Sequence, residues 1–170
     1  GFDSREGIGR ILDSTTGTHV KPIIDRSGRY IIWSDTEANR SWVMSWDGKT
    51  RKPLLTDAEY LVPCTWYDRS SGKEYIYAAS KGAGANEQLL EMQNMYRYEF
   101  DLNNASVVAA TKTLMWNRSK MHAPFTVASD GVHAAGNAPW PHACFMRLPN
   151  DSIGYIQRST GQATWACHVN

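Results

Sequence analysis

His122 and His142 are the residues of this chain best suited to moving protons, and they lie twenty positions apart. His122 ends the polar segment Asn117-Arg118-Ser119-Lys120-Met121-His122, and His142 ends Asn137-Ala138-Pro139-Trp140-Pro141-His142, where an indole lies between two prolines. Imidazole titrates near neutrality, so either histidine can take or give a proton. The guanidinium of Arg118 or the ammonium of Lys120 would pair with a carboxylate. The Trp140 indole would stack on the apolar face of a sugar ring. If the fold unites them, His122 and His142 form a candidate catalytic pair. Trp140, Asn137, Asn117 and Arg118 would then bind an anionic sugar. Their spacing alone does not unite them, so the elements that carry them decide the matter.

Those elements repeat. Asp25-Arg26-Ser27-Gly28-Arg29-Tyr30-Ile31-Ile32-Trp33-Ser34 returns as Asp68-Arg69-Ser70-Ser71-Gly72-Lys73-Glu74-Tyr75-Ile76-Tyr77, and more loosely as Ser129-Asp130-Gly131-Val132-His133-Ala134-Ala135-Gly136. The glycines at 28, 72 and 131 recur at intervals of 44 and 59 residues. Self-similarity of this period points to a solenoid or propeller. Each glycine turn lies between two short apolar runs, and two more runs follow it. In the first unit the runs are 20–24, 30–34, 42–46 and 51–55, the last two joined by Asp47-Gly48, a strong hairpin signal. The second unit has runs at 61–67, 75–80, 95–100 and 106–116, and the third at 123–128, 132–136, 143–148 and 153–158. Residues 86–94 carry the only helix-like pattern.

Four antiparallel strands per unit make the blade of a β-propeller. The expected fold is therefore all-β, an incomplete ring of about three four-stranded blades at 19–57, 60–116 and 122–158. Strands at 9–14 and 164–169 would belong to adjacent blades, so further blades from the rest of the protein or another chain are expected to close the ring. In a blade, the loop entering the first strand and the loop between the second and third emerge at the same end. That end should present His122 beside His142, with Glu37 to Arg40 and residues 81–94 from the other units.

Blander readings compete. A lone histidine is usually a satisfied surface or core residue, which suits His19, His133 and His168. Trp140, between two prolines, could plug a blade interface. The turn glycines form no G-x-G-x-x-G before a helix, so no organic-cofactor motif is present. Cys167-His168 is the one adjacent pair that a structural metal ion such as zinc could use, and Cys64, Cys144 and Cys167 otherwise read as small buried hydrophobes. Asn39, Asn104, Asn117 and Asn150 each head an Asn-x-Ser triplet, read either as a glycosylation acceptor or as a turn. A formal charge of +1 and the lack of any Lys/Arg cluster argue against nucleic acid as a partner. No apolar run approaches the roughly 18 residues of a membrane span, so no membrane partner is expected. The first residues do not read as a signal peptide.

Pro22-Ile23-Ile24-Asp25-Arg26-Ser27-Gly28, the strand after it, and Val43-Met44-Ser45-Trp46-Asp47-Gly48-Lys49 resemble the TolB-like propeller repeat over about 150 residues. Met121-His122-Ala123-Pro124-Phe125-Thr126-Val127-Ala128-Ser129-Asp130-Gly131, with Gly136 to His142, is similar to the propeller-type polysaccharide lyases. These are the ulvan lyases and, more distantly, the oligogalacturonate lyases. The resemblance implies β-elimination on an anionic, uronate-containing polysaccharide, with His122 and His142 at the histidine positions and a secreted or periplasmic location. The tyrosine and arginine of those enzymes have no counterpart placed in this chain. A non-catalytic TolB-like propeller that binds protein or glycan is the competing expectation.

Overall fold

The structure, a computed structural model, describes residues 2–3, 8–9, 19–82, 91–117, 121–137, 143–149 and 153–157. It is all-β, with no helix among the described residues. A two-residue ribbon pairs β1 (Phe2–Asp3) with β2 (Ile8–Gly9). β3 (His19–Ile24), β4 (Tyr30–Asp35), β5 (Arg40–Ser45) and β6 (Arg51–Leu55) form one antiparallel meander. β7 (Leu61–Asp68), β8 (Lys73–Lys81), β9 (Glu91–Asp101) and β10 (Ser106–Trp116) form a second. β11 (Met121–Val127), β12 (His133–Asn137), β13 (Ala143–Arg147) and β14 (Ile153–Gln157) form a third. The last two meanders are joined where β11 pairs with β9 through Met121–Met92 and His122–Glu91. Among the described residues no sheet closes on itself.

The turns follow from residue chemistry. In Asp25-Arg26-Ser27-Gly28 the Asp25 carboxylate accepts from the Ser27 and Tyr30 N–H groups, and Gly28 takes φ +70°. Asp68, Asp101 and Asp130 cap their own turns in the same way. Short carboxylates that bond the backbone two residues on favour a turn over a continued strand.

A second repeated device lies in the first strand of each meander. Between Val20 and Ile23, and between Leu61 and Cys64, two residues oppose one on the partner strand; between His122 and Phe125 two residues oppose none. Each of these bulges contains a proline: Pro22, Pro63 and Pro124. Proline cannot donate to a ladder, so a bulge is where a strand accepts it. Val20, Leu61 and His122 are therefore equivalent positions, as are their partners Ser34, Ala79 and Asn137.

The core runs between the sheets. Ile76, Tyr77, Ala78 and Ala79 of β8 are all fully buried, a continuous run rather than an alternation, because β8 is covered on both faces. β7 touches β3, β4 and β5 on one side and β11 on the other. The first and second sheets are also tied by hydrogen bonds. Ser34 Oγ donates to the Tyr60 carbonyl and accepts from the Val62 N–H, and the Tyr30 hydroxyl donates to the Leu102 carbonyl at 2.9 Å. Trp66 lies over Gly131 in the third sheet and donates its indole N–H to the Ser129 carbonyl at 3.2 Å.

The helix-like pattern at 86–94 is corrected over its final residues. Glu91 to Asn94 belong to β9. Met95 opposes Ala79 and Gln93 opposes Ser80, so Asn94 is an extra, bulged residue at φ 54°. The bulge places buried Met92 and Met95 three apart, which imitates one face of a helix. Of the flanking strand expected at 9–14, only Gly9 is described, and 164–169 lies outside the described residues.

Candidate functional site

Connectivity sorts the loops. In each meander the entry to the first strand, the link between second and third, and the exit from the fourth all lie at one end. The glycine turns lie at the other. At the first end the pairings form a row across five strands: Gln157, Ala143, Asn137, His122 and Glu91. His122 thus sits opposite Asn137 in register, and Ala143, next after His142 in the chain, opposes Asn137 from the other side. Asn137 is buried at 2% exposure, and Asn117, just after β10, is exposed at the same end. His142, Trp140 and Arg118 lie outside the described residues, as do Lys120 and the Cys167-His168 pair.

The equivalence set by the proline bulges bears on His122. The same position carries Val20 in the first sheet and Leu61, 1% exposed, in the second. A titratable ring therefore replaces an aliphatic one at a strand position that the repeat reserves for apolar residues. Sequence reading did not find this alignment, although Pro22, Pro63 and Pro124 were the signal for it.

Sequence reading placed residues 81–94 at this end but singled out neither Glu91 nor the cleft beside it. Glu91, opposite His122, packs its carboxylate over Gly82, whose position has no room for a Cβ beneath it. Two residues further along β9, Gln93 lines a cleft of about 400 Å³ between the first and second sheets. Asn39, Asp57, Tyr60, Ser80 and Lys81 line it too. Burial, reinforced by the nearby Asp35 charge, pushes the Tyr60 hydroxyl's pKa up, so it stays protonated at neutral pH. These residues come from distant parts of the chain, and no local motif joins them.

Other groups have structural work. His133 Nδ1 lies 2.6 Å from Asp130, whose carboxyl is held well below its usual range by that ring and by the His133 and Val132 N–H groups. Burial pushes the pKa of the half-buried Cys64 thiol up, which disfavours the thiolate. Asn39 and Asn104 occupy turns and are exposed. Among the described residues, no group of three or more His, Cys, Asp or Glu side chains is placed to hold a metal ion. No described helix is long and apolar enough to cross a membrane. The chain matches no protein-family model and no curated protein.

Proposed function

We propose that the chain is a β-propeller segment whose loop-rich end cleaves a uronate-containing polysaccharide, of the ulvan or pectin kind, by β-elimination. The observation that carries this is His122 at the strand position where the repeat otherwise has Val20 and Leu61, in register with Asn137 and in the row that also holds Ala143, the residue after His142 in the chain. Support for the propeller comes from three meanders that each carry a proline-containing bulge in the first strand and pack through β7. Further blades, from a longer protein or another chain, complete the ring.

The chemistry needs no oxidant. A cation neutralises the uronate carboxylate and so acidifies the C5 proton. A base takes that proton, the electron pair forms the C4–C5 double bond, and the C4–O bond breaks. An acid then protonates the departing glycosidic oxygen. His122 and His142 share these tasks, one exchanging protons and the other holding the carboxylate. Arg118 and Trp140 bind the sugar as charge partner and stacking surface, Asn117 adds hydrogen bonds, and buried Asn137 supports the His122 position. The substrate's chemistry suits a secreted or periplasmic protein.

Mass spectrometry of the products from ulvan or polygalacturonate tests the reaction class. Elimination leaves fragments lighter by one water than hydrolysis would. Intact polymer, bound by both the parent and a His122→Ala/His142→Ala variant, would instead mark a non-catalytic glycan-binding propeller.

A further inference from the structure

We infer that the cleft between the first and second sheets is a subsite for an acidic sugar residue, with Lys81 as its carboxylate partner. This rests on the polysaccharide reading above and extends it to a cleft along the strand from the His122 pairing. Four observations carry it.

First, the cleft's size, about 400 Å³, lies in the range of roughly 300–1,000 Å³ typical of small-ligand sites. Second, its lining is hydrophilic and mixed: Asn39 and Gln93 offer amides, Ser80 a hydroxyl, Asp57 a carboxylate and Lys81 an ammonium. A simple anion would be repelled by Asp57. A uronate sugar has both chemistries, hydroxyls for Asp57 and the amides and a carboxylate for Lys81. Third, the Lys81 side chain is exposed and has no ion-pair partner among the described residues, whereas Lys73 and Lys112 are bound to Glu99 and Glu59 at 2.7 and 2.9 Å. The hydroxyl of Tyr60, in the cleft wall, is likewise buried with no hydrogen-bond partner among the described residues.

Fourth, the cleft and the histidine row share strand β9. Gln93 and Glu91 lie on the same side of β9, with no bulge between them, about 7 Å apart along the strand. Glu91 opposes His122. That step is on the scale of a sugar ring, so a polymer held at His122 passes directly into the cleft.

The test is calorimetric titration of galacturonate oligomers of increasing length into the His122→Ala chain, which does not turn them over. Affinity should rise with length until the cleft is filled and then level off. Lys81→Gln should remove that gain and cost about tenfold for the long oligomers, while leaving the dimer unchanged. Lys49→Gln, at the opposite end of the first sheet, should do nothing. Asp57→Asn should weaken a neutral oligomer of equal length, and Lys81→Gln should not. Identical length curves for Lys81→Gln and its parent would overturn the subsite, even if the wild-type chain eliminates. A Lys81-dependent length gain without elimination by the wild-type chain would keep the subsite and remove the lyase. No binding of any oligomer would remove both.

Discussion

Glu74 is a buried carboxyl in the interface between the first two sheets. It is 1% exposed, accepts the Arg26 N–H at 3.0 Å, and faces the Asp25 charge. Burial raises its pKa above the ordinary 4.5; the Arg26 bond offsets this in part and Asp25 adds to it. A raised carboxyl pKa stabilises the fold fully below the unfolded value, and the stabilisation is lost as pH rises through the folded one. Glu74→Gln keeps the acceptor and cannot ionise. Its melting temperature should therefore climb relative to the parent as pH goes from about 4 to 7; a difference constant with pH would show that Glu74 stays ionised at no cost. The two turn glycines offer a second comparison at this scale. Gly28 has φ +70° and open space around it, so Gly28→Ala should cost only backbone strain, about 1 kcal/mol. Gly131 has φ +69° and also lies under Trp66, where a Cβ would fall 2.3 Å from the indole. Gly131→Ala should cost about 3 kcal/mol or more in denaturant unfolding. Equal losses would mean that Trp66 moves aside freely.

Among the elements, the bulge at Asn94 decides how β9 is read. Its φ of 54° suits Asn or Gly and opposes a β-branched residue. Asn94→Gly should leave the melting temperature nearly unchanged, and Asn94→Val should destabilise by about 1–2 kcal/mol. Equal stabilities would contradict a left-handed bulge. The twelve strands of the three meanders were legible because Asp-capped turns and apolar runs are local signals, set by residues within a few positions of one another. Asn94 was not legible. A bulge breaks the two-residue period, and Met92 and Met95 then read as helical spacing. The candidate site was legible only in part. His122 announced itself by type and context, but its equivalence to Val20 and Leu61 depends on the pairing partners Ser34, Ala79 and Asn137. Blade connectivity placed Lys81, Gln93 and Asn39 at one end, but the cleft they share with Asp57 was not legible, since a gap between two sheets leaves no pattern in either.

At the scale of the whole molecule, labour is divided between the two ends of the sheets. One end holds the glycine turns, the Asp caps and the ties at Glu74, Leu102 and Trp66, and its work is to lock the sheets together. The other end holds the His122–Asn137–Glu91 row and the cleft, beside the Ser34 tie to Tyr60 and Val62. That division is why variants such as Lys81→Gln can be expected to alter binding with little effect on stability. The central claim is that this second end breaks a uronate linkage with His122 and His142. The most direct measurement is the ultraviolet absorbance of the 4,5-unsaturated uronate released from ulvan or polygalacturonate by the wild-type, His122→Ala, His142→Ala and doubly substituted chains, each with an unchanged circular dichroism spectrum. The expected result is a steady rise with the wild-type chain and loss of nearly all of it in each variant. A wild-type trace that stays flat on every uronate polymer, or a double variant as fast as the wild type, would contradict the claim.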